Sequence, residues 1–388
     1  MAHKLFHLHK RPSKKTGKSI YYVQFFDQDG YRLSAKSTGQ SSKAAAENWA
    51  YEQIRKGKVN IKKDISFSEY AKDWWVWDKC EYIKRKLARG KSISPAYVDS
   101  MRTYLTNHIL PYFGDKKLQK ITPKMIEKWL MELREKPSRQ GKCLSPTTIN
   151  HSLRTLKIML QEAVRFEYLP NNPADKIEQL SENPKEKSIL NIHEIKNLFQ
   201  DDNINKIWGG NRRHYTINLL SASTGMRLGE IQALKIGKVH PDFVSVHWRW
   251  NRKYGLGPPK RNSYRDVPIP SKTSFYLQEM INFSPFKEPE DFVFYGNNRH
   301  TPLTSDEIRK VLYKAFENIG ITPEERKVRN ISFHSWRYFY NSILRGRIHD
   351  AKLQRLTGHR TYMMTEHYTR FNIMDFQDVL KIQEEFFG

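Results

Sequence analysis

Three short stretches decide how this chain is read. Phe333-His334-Ser335-Trp336-Arg337 and Thr357-Gly358-His359-Arg360 lie near the C-terminal end, and Tyr368 follows His359 by nine positions. Thr224-Gly225-Met226-Arg227-Leu228-Gly229-Glu230 lies well upstream. Together they bring two arginines, two histidines and a tyrosine, groups suited to attack on a phosphodiester without a metal. Taken singly, each piece is ordinary. A Gly-x-Arg fits a surface salt bridge, and a lone tyrosine is nearly always packing. His334 and Arg337, three apart, share one face of a helix, and that histidine alone fits a buried ring bonded to backbone. Met226 to Leu234 reads as a helix with Arg227 in its first turn. Free N–H groups, the positive dipole end and a guanidinium fork there make a phosphate site. Glu230, three residues on, is placed to hold the guanidinium.

Composition points the same way. The 388 residues carry 67 Lys+Arg against 41 Asp+Glu, a net charge of +26. A single-sign excess of this size repels itself and calls for a polyanion, of which nucleic acid is the commonest. Hydrophobic residues at 38% and aromatics at 13% exclude a disordered polymer. The length predicts two or three domains. Cys80 and Cys143 give neither a disulfide framework nor zinc spacing. No run of apolar residues is long enough for a membrane span. The stretch Met1-Ala2-His3-Lys4-Leu5 lacks an apolar signal core, so a reducing, intracellular location is expected.

Residues 1–62 read as a separate small module with thirteen basic residues against four acidic ones. Ser19 to Phe26 favours a strand, Asp29-Gly30 a hairpin turn, and Tyr31 to Ser37 the return strand. Phe6 to His9 can add a third. Ser41-Ser42 then caps a helix with Ala46, Trp49, Ala50 and Ile54 on one face. Such a lysine-studded sheet backed by a helix suits binding to a nucleic-acid groove or backbone. Residues 63–175 read as helical. Ser94-Pro95, Thr122-Pro123 and Ser145-Pro146 mark three starts, with ends expected at Pro111, Leu133 and about Tyr168. Residues 176–188 are polar and read as a linker. The domain from 189 to 388 is mostly helical. Its strand-like island runs from Phe243 to Trp250 and pairs with Arg265 to Ile269, across a turn holding Gly255, Gly257, Pro258 and Pro259. In the tail, Phe376, Val379, Leu380, Ile382 and Phe386 recur at helical spacing after Asp375. That stripe can pack on its own domain or on a neighbouring copy.

The order Arg, Lys, His-x-x-Arg, Gly-His and Tyr across residues 189–388 resembles the tyrosine recombinases, the phage integrase family. Residues 63–175 look like the family's core-DNA-binding domain. Residues 1–62 resemble the arm-type DNA-binding domain of integrases from phages and conjugative transposons. The resemblance implies a multidomain, mainly α fold: a small N-terminal β-sheet plus helix, a central helical bundle, and a mostly helical catalytic domain with a small β-sheet. It assigns the catalytic set to Arg227, Lys260, His334, Arg337, His359 and Tyr368, with no cofactor and no metal. Lys253 is a rival for the lysine in the same hairpin, and Tyr362 and Tyr338 are rivals for the nucleophile. The implied chemistry is attack by Tyr368 on a backbone phosphate, giving a 3′-phosphotyrosine and a 5′-hydroxyl without ATP. Implied partners are double-stranded DNA at core and arm sites, a homotetramer on two duplexes, and a DNA-bending host factor or excisionase. The implied setting is the cytoplasm of a bacterial host, at the nucleoid. A type IB topoisomerase, a protelomerase and a catalytically idle DNA-binding regulator are the competing readings.

Overall fold

The computed structural model describes residues 5–12, 19–26, 32–56, 65–137, 141, 143–183, 185–359 and 361–370. The Asp29-Gly30 turn, Arg360 and the apolar stripe of the tail lie outside the described residues. The chain divides into two compact units, Met1–Asn183 and Pro184–Gly388.

The first unit opens with a three-stranded sheet in the order β1 (Phe6–Pro12), β2 (Ser19–Phe25), β3 (Lys36–Ser37). β1 and β2 are antiparallel, with Phe6 opposite Phe25 and Pro12 opposite Ser19. Alternation along β2 sends Val23 and Phe25 inward. They form a small core, with Ala50 of the Lys43–Arg55 helix. The return strand is shorter than the Tyr31 to Ser37 run read from the sequence. Only Lys36–Ser37 pairs with β2, beside an isolated Phe26–Arg32 bridge. The Gln24 side chain donates to the Leu33 carbonyl and takes an acceptor that a longer ladder would use. Lys10 and Arg11 lie over the rings of Tyr21 and Tyr22 at 5.1 and 5.9 Å.

The helical part follows the Ser/Thr-Pro punctuation. Ser94, Thr122 and Ser145 each accept from the backbone N–H three residues on, and a proline follows each cap. The helices so begun are Pro95–Tyr104, Pro123–Glu135 and Pro146–Arg165. Pro111 does not end the first of them. The helix passes through a π-turn at Leu105–Ile109 and continues as Leu110–Phe113. A proline lacks the N–H that would bond the carbonyl four residues back, so the ladder opens there. The freed Asn107 carbonyl accepts from Lys136 Nζ, and the next carbonyl, that of His108, accepts from Trp129 Nε1, both at 2.9 Å. Phe67, Trp75, Phe113, Trp129, Leu153 and Leu156 form the centre of this core. The polar stretch after residue 176 is strapped down on the Pro146–Arg165 helix. Asn150 donates to the Leu180 carbonyl at 2.9 Å and accepts from its N–H at 2.8 Å, and Lys157 donates to the Ile177 carbonyl at 2.7 Å.

In the second unit the Arg212–Thr224 helix is buried on every side from His214 to Ala222. It packs against the Ser335–Leu344 and Ser271–Asn282 helices. Trp336 is fully buried on it, its Nε1 bonding Asn218 Oδ1 at 2.9 Å. The strand island is split. β4 (Phe243–Val246) pairs antiparallel with β7 (Arg265–Pro268), Val246 facing Arg265. β5 (Arg249–Asn251) and β6 (Gly255–Gly257) form a second hairpin within what reads as a single turn in the sequence. Asn251 Oδ1 closes its tip by accepting from the N–H groups of Lys253 and Tyr254.

Trp129→Phe removes the donor from the His108 carbonyl while keeping an aromatic ring in the core. Losing that hydrogen bond should lower the unfolding free energy of the first unit by about 0.5–1.5 kcal/mol. Urea unfolding followed by tryptophan fluorescence and far-UV circular dichroism checks this. An unchanged midpoint would mean the π-turn carbonyl is satisfied by solvent.

Candidate active site

Arg227 is the N-cap of the short Leu228–Gln232 helix, one position before the first-turn place its sequence suggests. Gly225 ahead of it sits at φ +62°, and a Cβ there would lie 2.6 Å from Tyr340 Cδ1, so the tight approach excludes any side chain. Glu230 bonds both the backbone N–H and the Nη1 of Arg227 at 3.0 Å. On its other side it accepts from Arg265 Nη2 at 2.7 Å. Burial alone would push the Glu230 carboxyl up, but Arg265, then Arg227 and Arg337, pull it down to about 2. Arg265 also donates through Nε to the Leu356 carbonyl at 2.7 Å, tying β7 to the end of the Asp350–Thr357 helix.

Arg337 enters from the first turn of the Ser335–Leu344 helix and is 1% exposed. Its Nη1 donates to the Gly225 carbonyl at 2.7 Å and its Nη2 to the Thr357 carbonyl. The guanidinium thus joins the loop before Arg227 to the loop before His359. Burial and then Arg227 draw it down to about 9, so it stays charged at neutral pH. Its Nε, although buried, bonds no described residue.

Tyr368 caps the C-terminal end of the Tyr362–His367 helix. Its ring lies 5.2 Å from Arg337 Cζ and stacks on His359 at 4.8 Å with an interplanar angle of 18°. His334, N-cap of the Ser335–Leu344 helix, reaches the Tyr368 hydroxyl through Nε2 at 3.1 Å. His359 is positioned by Gly358, whose φ of +66° ends the preceding helix in the left-handed region. His359 Nδ1 lies 3.2 Å from Thr365 Oγ1, and its buried Nε2 bonds no described residue. Burial first, then Arg337, lowers both histidines, His334 to about 4 and His359 to about 3. Both are therefore neutral at pH 7. The Thr365 hydroxyl can donate to Nδ1, and in that tautomer the His359 ring carries its proton on Nε2 and presents a donor.

The Lys260–Asn262 turn follows β6, and Arg249 Nε holds its entrance by donating to the Pro258 carbonyl at 3.0 Å. Arg261 reaches Met364 Sδ of the Tyr362–His367 helix at 3.6 Å. The Lys260 ammonium is lowered by burial and then by Arg227, Arg261, Arg249 and Arg337, which puts it in the field of both arginines of the site. Lys253 is at the tip of the β5–β6 hairpin, its ammonium 5.3 Å from the Tyr254 ring. Of the other tyrosines, Tyr362 is bonded by Arg345 at 2.6 Å on an exposed face. The Tyr338 hydroxyl is engaged by His367 Nε2 at 3.1 Å. The structure thus gathers Arg227, His334, Arg337, His359 and Tyr368 in direct contact or through one shared neighbour, with Lys260 at their edge. Arg265 was not among the sequence candidates. Its signal is the period-two alternation of β7, where Val267 is inward, so Arg265 must be inward too and needs a buried partner. Nothing in the sequence marks Thr365 as the group that orients His359.

The sequence model of the "Phage integrase family" matches residues 189–373, and that of the "Phage integrase, N-terminal SAM-like domain" matches residues 66–134. The ICEBs1 integrase of Bacillus subtilis is 25% identical over 268 residues, 64% of this chain and 66% of that protein. A tyrosine recombinase XerD of Staphylococcus aureus is 25% identical over 229 residues, 58% of this chain and 72% of that protein. The fold is that of the Tn1549 transposon integrase bound to a circular-intermediate DNA, with a TM-score of 0.60, 19% identity and coverage of 78% of this chain and 98% of that one. A lambda integrase tetramer bound to a Holliday junction matches with a TM-score of 0.55, 15% identity and coverage of 94% of both chains.

Glu230 makes a pH test of the site's framework. Its folded-state value, about 2, lies below the ordinary 4.5, so the stability it contributes is complete above pH 4.5 and is lost as pH falls towards 2. The loss should be on the order of 3 kcal/mol. Urea midpoints of the wild type between pH 5 and 2.5 should fall more steeply than those of Glu230→Gln. Parallel curves would remove Glu230 from the acid-sensitive set.

Proposed function

The chain belongs to the phage integrase family of tyrosine recombinases, and we propose that it cuts and rejoins DNA at specific sites through a covalent 3′-phosphotyrosine at Tyr368. One observation carries the residue assignments. Two buried donors without a partner among the described residues, Arg337 Nε and His359 Nε2, flank the Tyr368 ring. Buried polar atoms are rarely left unpaired, and an oxygen of a scissile phosphate would satisfy both.

The Tyr368 hydroxyl attacks phosphorus while its proton leaves towards His334 Nε2, 3.1 Å away. A neutral imidazole is what that step needs, and burial keeps the ring neutral. Arg227 and Arg337 meet the charge that builds on the non-bridging oxygens. Glu230 and the Gly225 and Thr357 carbonyls hold both guanidiniums before DNA arrives, so little reorganisation is spent in the transition state. The bond to the 5′-oxygen breaks, and Lys260 supplies its proton. A lysine whose pKa is lowered by burial and by neighbouring arginines gives up that proton more readily. Attack on the phosphotyrosine by a 5′-hydroxyl of another strand then restores the tyrosine and exchanges the strands.

Double-stranded DNA is the substrate, and four copies on two duplexes are the working assembly, as in the lambda integrase tetramer on its junction. Residues 1–62 act as the arm-site module, residues 63–175 as the core-site domain, residues 176–188 as the connector and residues 189–388 as the catalytic domain. Among the described residues no helix is long and apolar enough to cross a membrane. The reaction belongs to the cytoplasm of a bacterial host, where integrated and circular element DNA meet.

Tyr368→Phe should bind DNA as the wild type does and form no adduct on a nicked suicide duplex made from the DNA flanking its own gene, read as a protein–DNA band resistant to denaturation. Persistence of that band would return the role to Tyr362 or Tyr338.

The proton donor is separable from the charge clamp. A substrate with sulfur in place of the 5′-bridging oxygen needs little protonation on leaving. Lys260→Ala should therefore cleave it at close to the wild-type rate while failing on the oxygen substrate. Arg227→Ala should stay on the order of 10²–10³-fold slow on both. Selective rescue of Lys253→Ala would assign the acid to the hairpin tip.

A further inference from the structure

We infer that Lys187 and Arg370 form a brace that sets the position of Tyr368 against His334, making both positioning residues for the reaction; this rests on the nucleophile assignment above. The chain enters the second unit at Pro184 and runs alongside the segment leading to His334. Asn330 Nδ2 donates to the Lys185 carbonyl at 3.0 Å, and the Ser188 N–H donates to the Arg329 carbonyl at 2.9 Å. Between these two bonds the Lys187 ammonium reaches the Asn330 carbonyl and Oδ1, both at 3.4 Å, and Ser332 Oγ at 3.3 Å. Ser332 is two residues before His334.

The backbone of the same residue is held from the segment after Tyr368. Arg370 Nε donates to the Lys187 carbonyl at 3.0 Å. Arg370 is two residues after Tyr368, and its N–H and Nη1 are engaged too. Its N–H bonds Ser342 Oγ at 2.8 Å, its Nη1 bonds the His367 and Thr369 carbonyls at 3.1 and 2.6 Å, and its Cζ lies 5.0 Å from the Tyr338 ring. One connector residue therefore holds the segment before His334 with its side chain and the segment after Tyr368 with its backbone. The reacting contact, His334 Nε2 to the Tyr368 hydroxyl, lies between the two holds.

The chemistry of the brace argues for positioning over simple stabilisation. Lys187 is half-buried with its charge on three neutral oxygens, and burial lowers its pKa. A cation solvated that way contributes little net stability, since the oxygens only replace water. What it fixes is geometry. Tyr368 ends a helix of 6 residues, Tyr362–His367, too short to hold itself. Because Lys187 is the fourth residue of the second unit, the seating of the connector bears directly on the reacting pair.

The full-length chain and the nicked suicide duplex described above test this. Arg370→Ala and Lys187→Met should each slow adduct formation on the order of 10²-fold, the effect of a misplaced nucleophile. DNA affinity and the thermal midpoint should stay at wild-type values. Lys187→Arg, which keeps the donors, should recover most of the rate. The double variant should be less impaired than the product of the two single effects, because both remove one brace. Wild-type rates in the single variants overturn the inference. So does a rate loss matched by an equal loss of affinity or thermal midpoint, which would make the pair merely structural. Adduct formation by Tyr368→Phe would instead overturn the nucleophile assignment, and is read from a separate variant.

Discussion

The carboxylate of Glu230 is the interaction on which the reaction centre depends. Glu230 and Arg265 are both about 1% exposed at their side chains, and Arg227 and Arg337 stand beside them. Without an anion among them, three guanidiniums in a low-dielectric interior would repel by several kcal/mol. The carboxylate costs desolvation energy and recovers it from the guanidiniums that surround it, which is why it stays ionised. The result is a positive cluster that is rigid before any phosphate arrives. Its bonds also join four separate segments: the stretch from Gly225 into the Leu228–Gln232 helix, strand β7, the start of the Ser335–Leu344 helix, and the end of the Asp350–Thr357 helix.

The two histidines beside the cluster are tuned by the opposite means. Among the described residues no carboxylate bonds His334 or His359, and the arginines beside them act with burial to keep them neutral. A fixed positive clamp and two neutral imidazoles thus arise from one arrangement. The arginines bind negative charge and at the same time prevent the histidines from competing as cations. Lys260 sits in the same field at a more exposed place, and its pKa is lowered by burial and then by the arginines.

Where the fold departs from a plain reading, the cause is a local rule overruled by a distant donor. Pro111 should end a helix, yet Lys136, at the end of the Pro123–Glu135 helix, takes up the Asn107 carbonyl it frees, Trp129 bonds the next one, and the helix goes on. The stretch between β4 and β7 should be a turn, yet it is long enough to fold into its own hairpin, stabilised at its tip by Asn251. In the first sheet, Gln24 intercepts a carbonyl of the return segment and shortens β3.

The sequence by itself determined the helix starts at Ser94, Thr122 and Ser145, because a cap acts over a few residues, and its motif order carried the resemblance to the family. It also carried enough positive charge to point to nucleic acid. Only the tertiary structure decided which groups complete the site. Arg265 meets Glu230 across 35 residues and Leu356 across 91, and Lys187 meets Arg370 across 183. No periodicity or cap encodes such pairings. They exist because closing the core brings distant segments together, and buried polar groups must then find partners among whatever has come within reach.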